Sequence, residues 1–362
     1  MSDSRLNKVR KYLGEKNLDG LLVSNFYNIF YLIGFKTLVP EEREGFILIT
    51  KENTYLFSDG RYLSAQSKSI NFIPKILTPE KRLIKHLQEI VQEEKIKRLG
   101  FEEEDLKYIE YKSLAKNLNK LTLFPLQKII VKLRSLKEKE EMAKIREACS
   151  VADRCLEEVV KTIKAGQTEK EIAVKIEFWL KKNGYDISFH PIVAVNENAA
   201  IPHYDTRRGN GKVKKGSILL IDYGTKVEDY CSDTTRMFFI GKPSDPLMKA
   251  YETLKKIQQK TIRRVQKIKQ LRELDAFCRE LLIKEGFPNY SHSTGHGVGL
   301  EVHERPLVSL RSGEKVAVNQ VFTIEPGIYI NGRFGMRIED TILVKEKGVE
   351  ILTKFPKTLR IL

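Results

Sequence analysis

Four acidic residues in the C-terminal half of the chain have a spacing that could bind metal ions. Asp222 and Glu325 each end an apolar stretch typical of a strand, SILLID and VFTIE, and Asp233 and Glu339 begin the stretches that return. Antiparallel pairing of these stretches would bring the acids of each pair side by side. Carboxylates that converge in a partly buried space repel one another, and bound divalent cations relieve that repulsion.

Histidines supply a candidate nitrogen ligand. Of the six in the chain, three lie in one glycine-containing segment: His292, His296 and His303. On a regular strand the spacing of seven residues between His296 and His303 would point them to opposite faces, whereas a bulge at a glycine would bring them together. Two ions about 3.5 to 4 Å apart activate a water between them, which is hydrolase chemistry. A lone histidine is more often a packing residue, and we interpret His86 and His190 in this way.

The elements that position these residues are predicted to open with two helices. Ser135–Glu138 has the pattern of a capping box, and a long amphipathic helix follows it. Thr168 and Glu171 form a second capping box, for a helix that ends at Gly184. The chain then changes to a β pattern that leads to the first acid.

The same order of elements occurs twice, which predicts an internal repeat. Gly184 precedes Asp222 by 38 residues, and Gly286 precedes Glu325 by 39. A second carboxylate follows after 11 residues in the first half and 14 in the second. Two similar halves would therefore face each other across four acids.

The first 130 or so residues alternate helical and strand patterns, as in an α/β domain. A chain of 362 residues exceeds what one core usually organises. We therefore expect two domains, residues 1–132 and 133–362. An apolar fraction of 41% and a charged fraction of 31% are typical of a globular protein that folds without a partner.

The net charge of +16 raises the question of a nucleic-acid partner. The basic residues are scattered along helical stretches with glutamates between them, as in Lys137–Arg146, so we interpret them as solvated faces and disfavour nucleic acid. The N-terminus lacks the apolar core of a signal peptide, and apolar runs are strand-sized rather than membrane-sized. The four cysteines form no C-x-x-C pair, which fits a reducing cytoplasm.

Five short motifs, IDYG, SDTTR, GHGVGLEVHE, TIEPGIY and MRIED, resemble those of metallopeptidases with the pita-bread fold. Tyr31–Phe35 and Asp59–Tyr62 resemble the N-terminal domain of aminopeptidase P and prolidase. The resemblance covers most of the chain. It implies an α/β (α+β) fold class, with an N-terminal creatinase/prolidase-like α/β domain followed by a pita-bread catalytic domain with a pseudo-twofold repeat.

The resemblance also implies two divalent metal ions per chain, by family expectation manganese or cobalt, with zinc or iron also compatible with the ligands. Asp222 would bind one ion, and His296 and Glu325 would bind the other. Asp233 and Glu339 would bridge the two ions. Glu325 would in addition act as the general base.

Four further residues receive roles from the resemblance. His203 and His303 match histidines that position the substrate and stabilise the tetrahedral intermediate, so they are candidate catalytic and substrate-binding residues. Arg337 would orient a ligating acid through a bidentate contact. His292 is expected to support the ligands in a similar way.

Relatives with this two-domain layout favour small peptides with proline at the second position. Asp59–Tyr62 is more similar to aminopeptidase P, and some prolidases carry an arginine where this chain has Leu307, with Arg305 out of register. We therefore favour an Xaa-Pro aminopeptidase over an Xaa-Pro dipeptidase. Histidine in Phe189–Val193, and the longer turn at Asn196–Asn198, predict a different substrate rim.

A non-enzymatic alternative is a binding module for nucleic acid or chromatin-like partners, since some pita-bread proteins have lost their ligands. The complete ligand set argues against it. Relatives are commonly homodimers, so a homodimer is expected.

Overall fold

The computed structural model describes residues 2–40, 42–63 and 72–362. The chain divides into two compact units, Met1–Leu133 and Arg134–Leu362. This division lies one residue from the predicted boundary. Among the residues described, no helix is both long enough and apolar enough to cross a membrane.

The first unit is a six-stranded mixed sheet with helices, as the alternating pattern predicts. Its elements are α1 (Ser2–Glu15), β1 (Gly20–Val23), α2 (Phe26–Ile33), β2 (Gly45–Thr50), β3 (Thr54–Asp59), α3 (Gly60–Leu63), β4 (Ile73–Leu77), α4 (Leu83–Glu93), β5 (Arg98–Glu102), α5 (Tyr108–Asn117), β6 (Thr122–Leu126) and α6 (Ile129–Ser135). The strand order is β4-β3-β2-β1-β5-β6, and β2 is antiparallel to both neighbours. Every residue of β1 and β2 is buried, which explains their uninterrupted apolar sequences.

The second unit contains two successive sets of elements. The first set is α7 (Lys139–Val160), α8 (Glu169–Lys182), β7 (Asp186–Ile187), β8 (Ile192–Val195), β9 (Ile218–Tyr223), β10 (Thr225–Val227), β11 (Tyr230–Cys231) and β12 (Thr234–Phe239), with 3₁₀ helices at Asn196–Ala200 and Thr206–Arg208. The second set is α9 (Asp245–Arg264), α10 (Leu271–Lys284), β13 (Gly295–Gly297), β14 (Glu304–Val308), β15 (Val321–Ile324), β16 (Gly327–Ile330), β17 (Phe334–Arg337), β18 (Asp340–Val344) and β19 (Val349–Ile351), with a 3₁₀ helix at Val265–Lys267.

The two sets have the same plan, as the carboxylate spacing predicts. In each, two helices precede three strands that pair in the same arrangement, β8-β9-β12 in the first set and β13-β15-β18 in the second. A short hairpin is inserted between the last two of these strands, β10–β11 or β16–β17. We call the two sets the first half and the second half of the unit.

The predicted capping box at Ser135–Glu138 is wrong. Ser135 ends α6, and the long helix α7 begins four residues later. The carboxylate of Glu141 accepts a hydrogen bond of 2.9 Å from the backbone N–H of Glu138, which places the helix start there. The capping box of Thr168 and Glu171 is present, with bonds of 2.7 and 3.2 Å in the two directions.

Candidate active site

All nine predicted site residues line one cavity of about 210 Å³ in the second unit. They are Asp222, Asp233, His296, Glu325 and Glu339 as candidate ligands, with His203, His292, His303 and Arg337 around them. Phe189, Ile192 and Pro202 complete the lining with apolar surface. His190 lies outside this lining and is exposed, with its Nδ1 3.7 Å from Glu177.

The first half delivers two acids through one antiparallel pair of strands. Asp222 lies in β9, opposite Thr235 of β12, and Asp233 directly precedes β12. The side chains are buried, with 7% of Asp222 and 4% of Asp233 exposed. The inserted hairpin β10–β11 explains why 11 residues separate two acids that lie close together.

The second half delivers its two acids in the same way. Glu325 follows β15 and Glu339 precedes β18, and the last pair in register between these strands is Ile324 with Asp340. Glu339 is almost fully buried. The predicted convergence of the two acid pairs is confirmed, because Asp222, Asp233 and Glu339 have oxygens within 4.8 Å of one another.

His296 lies in β13, and the register between β13 and β14 shifts directly after it. This irregularity is the bulge that the glycines suggested, and it brings the His296 and His303 rings to a centroid distance of 4.2 Å. The Nε2 atom of His296 is 3.3 Å from Glu325 Oε1 and 3.6 Å from Asp233 Oδ2. A nitrogen donor therefore points into the acid cluster.

The donor set fits divalent cations. Asp222, Asp233 and Glu339 form one group whose ligand atoms lie within 4.8 Å of one another, and His296, Glu325 and Glu339 form another. Within the described ranges, one buried oxygen on each of Asp222, Asp233 and Glu339 has no hydrogen-bond partner. Buried oxygens without a donor are costly, and these three belong to the first group, so cations bound at the cluster would supply the missing partners.

The electrostatics of the cluster point the same way. Burial raises the pKa of Asp233 and Glu339 well above the usual range, and the charges of neighbouring acids raise it further. Burial also acts to raise the pKa of Glu325, but the hydrogen bond and charge of His296 outweigh it and hold that pKa at about 2. Acids with opposite pKa shifts thus lie side by side, and bound cations would relieve the repulsion that raises two of them.

Arg337 links the candidate metal ligand Asp222 to other residues around the cavity. It donates through Nη2 to Asp222 Oδ2, and through Nη1 to the hydroxyl of Tyr329 at 2.9 Å and to the carbonyl of Pro202 at 3.3 Å. Tyr329 also lies 2.9 Å from His292 Nε2. Asp222 and His292 are therefore held by one network. Arg337 contacts Asp222 through a single nitrogen, so the predicted bidentate contact is wrong, and its Nε donates to Thr235 instead.

Two threonines that the sequence analysis did not single out contact the candidate ligands. The hydroxyl of Thr235 donates to Glu339 Oε2 at 2.7 Å and accepts from Arg337 Nε at 3.1 Å. In the second half, the Thr323 hydroxyl lies 3.2 Å from Glu325 Oε1 and accepts from the backbone of His296 at 3.1 Å. Both lie inside recognised motifs, SDTTR and TIEPGIY, which was the available signal.

A buried ionic network supports the strand that carries Glu339. Arg236, 2% exposed, pairs with Asp340 at 2.9 Å, and it donates to the carbonyl of Phe355 at the same distance. Gln258 and Lys357 donate to the other oxygen of Asp340. Asp340, which directly follows Glu339, is thus fixed by side chains that do not line the cavity.

Glu304, next to His303, is held in a second buried network. Its carboxylate pairs with Arg134 and with Lys137, whose side chains are 3% and 0% exposed. Burial acts to raise the pKa of Glu304, but these two cations lower it overall. Lys137 is therefore a buried partner of the histidine segment, and interpreting it as part of a solvated face is wrong.

His203 and His303 line the cavity from separate loops, and both residues are partly accessible to solvent. Partial burial and the neighbouring His296 lower the pKa of His303 to about 4. A neutral imidazole at this position can donate one hydrogen bond and accept another at neutral pH.

Both units match known families. Residues 143–346 match metallopeptidase family M24, and residues 5–136 match the creatinase/prolidase N-terminal domain. The chain is 32% identical to the Xaa-Pro dipeptidase of Pyrococcus horikoshii over 361 residues, which cover 99% of each chain.

Two solved structures share the fold along the chain. The Xaa-Pro dipeptidase from Bacillus anthracis superposes with a TM-score of 0.90 at 32% identity and covers 100% of both chains. The X-Pro aminopeptidase from Thermotoga maritima superposes with a TM-score of 0.85 at 31% identity, covering 96% of this chain and 98% of its own. Motifs, fold and relatives agree, and the protein is a member of metallopeptidase family M24, with a creatinase/prolidase-type domain preceding the pita-bread domain.

Proposed function

We propose that the protein is an Xaa-Pro dipeptidase that uses two divalent metal ions. The proposal rests on one observation above all: five candidate ligands surround one cavity, and three of them have a buried oxygen with no partner in the part of the chain that the structure describes. Full-length relatives that bear the name Xaa-Pro dipeptidase support the substrate class. This reverses the order of preference in the sequence analysis, which placed the aminopeptidase first.

The residues that would hold the ions are those predicted. Asp222 would hold one ion, His296 and Glu325 would hold the other, and Asp233 and Glu339 would be shared by both. Bound ions supply Lewis-acid charge that activates a water and polarises the substrate carbonyl. The unequal donor sets, oxygen only against oxygen plus nitrogen, favour manganese or cobalt, although zinc or iron is compatible with both.

Glu325 is suited to accept the proton of the attacking water. Its pKa of about 2 keeps it ionised at neutral pH, and its contact with His296 fixes its orientation. The same acid can then deliver that proton to the leaving nitrogen of proline. His303, neutral at this pH, and His203 would donate hydrogen bonds to substrate oxygens as the carbonyl carbon becomes tetrahedral.

The apolar part of the cavity is suited to proline. Phe189, Ile192 and Pro202 line one part of it without contributing charge. A pyrrolidine ring has no N–H once it is in a peptide bond, so an apolar wall leaves no donor unsatisfied. The volume of about 210 Å³ is below the range of about 300–1,000 Å³ typical of pockets for drug-sized ligands, which favours a very small peptide.

An Xaa-Pro aminopeptidase is the second candidate, and one feature favours it. A dipeptide places its carboxylate near the site, and Leu307 of β14 offers no cation for it. Among described residues that line the cavity, the one guanidinium, Arg337, already pairs with Asp222. A dipeptidase of this kind would have to meet the carboxylate with His203, His292 or His303.

The deciding experiment compares Gly-Pro with Gly-Pro-Ala. Metal-stripped protein, resupplied with manganese or cobalt, is assayed on both peptides beside the Glu325→Gln variant. Turnover of Gly-Pro, abolished by stripping and by the substitution, establishes the dipeptidase. Turnover of the tripeptide alone establishes the aminopeptidase.

We further propose that the protein acts in the cytoplasm on small peptides, as a homodimer. The non-catalytic binding module is the weaker alternative, carried by the charge of +16. It predicts nucleic-acid binding with a steep salt dependence and a purified protein that binds no divalent ions. Metal titration and a nucleic-acid binding assay at two salt concentrations separate the two, and light scattering measures the oligomer.

A further inference from the structure

A buried carboxylate outside the cavity organises one of its walls. Glu169 begins α8 and is 0% exposed. Its Oε1 accepts hydrogen bonds from the backbone of Val195 at 2.7 Å and from Asn198 Nδ2 at 2.9 Å. Its Oε2 accepts from the hydroxyl of Tyr204 at 2.8 Å and from the backbone of Gly211 at 3.0 Å.

All four donors lie in the segment 195–211, which joins the end of β8 to the approach of β9 and contains His203. We call it the His203 segment. It has two short 3₁₀ helices and otherwise irregular backbone. Segments of this kind are mobile unless side chains hold them. Here the donors come from both ends and the middle of the segment and meet at one carboxylate.

The sequence of the segment is adapted to this carboxylate. A Cβ atom on Gly209 would come within 2.6 Å of Glu169 Oε2, and one on Gly211 within 2.5 Å of Oε1. Such contacts are too short for any other residue, so the backbone approaches Glu169 as closely as glycine permits.

His203 is fixed from both sides by these contacts. The residue before it, Pro202, has its carbonyl oxygen 3.3 Å from Arg337 Nη1, and Arg337 pairs with Asp222. The residue after it, Tyr204, donates to Glu169. The imidazole therefore lies between an anchor on the candidate metal acids and an anchor on α8.

We propose that Glu169 is a positioning residue that holds His203 at the substrate. The inference rests on the proposed function, because His203 is given the role of a substrate contact there and Glu169 would hold it in place. Glu169 does not line the cavity and touches neither the candidate ligands nor, on this geometry, the substrate. It acts through Tyr204 and the backbone of the His203 segment.

The kinetic test uses Glu169→Gln, which keeps the volume but replaces one acceptor oxygen with an NH₂ group. We expect kcat/KM for Gly-Pro to fall about 10- to 100-fold, the cost of a misplaced substrate contact, while two metal ions per chain are retained. In a double-mutant cycle with His203→Ala, the second substitution should add little. Tyr204→Phe, which removes one of four donors, should lose less than Glu169→Gln.

Glu171→Gln is the matched control, because Glu171 lies on the first turn of the same helix and contacts Thr168 rather than the His203 segment. It should match wild type. Full additivity of Glu169→Gln and His203→Ala would overturn the proposal, as would a loss of metal that accounts for the lost activity.

A second measurement is independent of activity. Arg207 and Arg208 lie in the His203 segment with exposed side chains, so trypsin cleavage after them, followed by mass spectrometry, reports the order of the segment. Cleavage there should accelerate at least about tenfold in Glu169→Gln and not in Glu171→Gln. Equal rates would overturn the proposal, whereas a wild type that cleaves neither peptide would overturn the proposed function and leave the trypsin result to decide on Glu169.

Discussion

The two halves of the catalytic unit share a scaffold but differ in what they supply to the site. Each half has two helices, three paired strands and an inserted hairpin, and each ends a central strand at an acid, Asp222 or Glu325. Each also has a buried carboxylate on its second helix. Glu169 holds the His203 segment, and Asp275 of α10 accepts bonds from the backbone of Thr294 and Leu310 around the segment that leads to His296.

The difference lies in the donors. Each half brings two acids together, Asp222 with Asp233 and Glu325 with Glu339, and the second half adds His296 from β13. One candidate metal position is therefore surrounded by oxygen alone and the other by oxygen and nitrogen. A duplicated scaffold can thus fix the geometry of two positions while single residues make their chemistry unequal.

Glu339→Gln should break the comparison most severely, because Glu339 belongs to both ligand groups. We expect the variant to lose both ions at micromolar metal concentrations. Loss of an outer-shell partner costs about 10- to 100-fold in activity, and the activity of Glu339→Gln should fall further than that. Metal analysis and Gly-Pro turnover measure this. Glu346→Gln, an exposed acid in the β18–β19 turn, is the control and should behave as wild type. Retention of two ions by Glu339→Gln would remove the basis for a shared ligand.

Asp222→Asn and His296→Ala should sharpen the comparison by affecting one position each. We expect each variant to retain one ion under conditions where wild type binds two, with turnover reduced at least about 100-fold. The ion kept by His296→Ala should prefer manganese, since its donors are oxygens, and the ion kept by Asp222→Asn should tolerate zinc better. Competition titrations measure this preference. Identical metal preferences in the two variants would contradict unequal positions.

The four carboxylates were predictable from sequence because the repeat places them at strand ends, where local hydrophobicity and spacing are informative. His296 was singled out by the three histidines of one glycine-containing segment and by the family resemblance. The α/β character of the first unit was predictable for the same reason. The bulge after His296 could only be suggested, since a register shift depends on pairing between β13 and β14 that periodicity does not encode.

Other features depend on contacts between distant parts of the chain. The motifs that contain Thr235 and Thr323 do not show which ligand each hydroxyl contacts until the strands pair. Lys137 likewise looks solvated until Glu304, 167 residues away, is placed against it. The start of α7 was misplaced because Ser135 satisfies a capping pattern that the preceding helix overrides. The choice between dipeptidase and aminopeptidase rested on resemblance at the rim of the cavity. A single residue there, such as Leu307, does not decide between the two activities by itself.

Thr235→Val and Thr323→Val compare the supporting contacts of the two halves. Each substitution removes a hydroxyl that contacts a candidate metal ligand and nearly keeps the volume of the side chain. Thr235→Val should weaken metal affinity about 10- to 100-fold, because the hydroxyl contacts the shared Glu339 and Arg337. Thr323→Val should cost less, since its contact with Glu325 is longer, at 3.2 Å. Calorimetric metal titration measures the affinity of both variants. An equal loss of affinity would show that Glu339 depends no more on Thr235 than Glu325 depends on Thr323.

The metal-free protein should reveal the repulsion between the halves through its pH dependence. Because the pKa values of Asp233 and Glu339 are raised, the folded state keeps protons that the unfolded chain releases above about pH 4. Stability should therefore fall as pH rises, most clearly above about pH 6.5, where unfolded histidines are neutral. Thermal unfolding from pH 6.5 to 8 measures the slope, and Glu339→Gln should flatten it. With metal bound the slope should reverse, because metal competes with protons for the ligands.

The smallest effect concerns the two helix starts that match in the repeat. Thr168 caps α8 through its hydroxyl, which accepts from the backbone of Glu171, whereas the side-chain oxygen of Gln270 at the start of α10 has no partner among the described residues. Thr168→Ala should cost about 1 kcal/mol, a shift of about 2 to 4 °C in the unfolding midpoint of a unit of this size. Gln270→Ala should cost less, because the Gln270 side-chain oxygen makes no capping bond and the substitution eliminates a buried acceptor that has no partner among the described residues. Thermal unfolding of both variants with metal bound tests this, and a larger shift for Gln270→Ala would mean that the two halves are stabilised at their helix starts by contacts other than these caps.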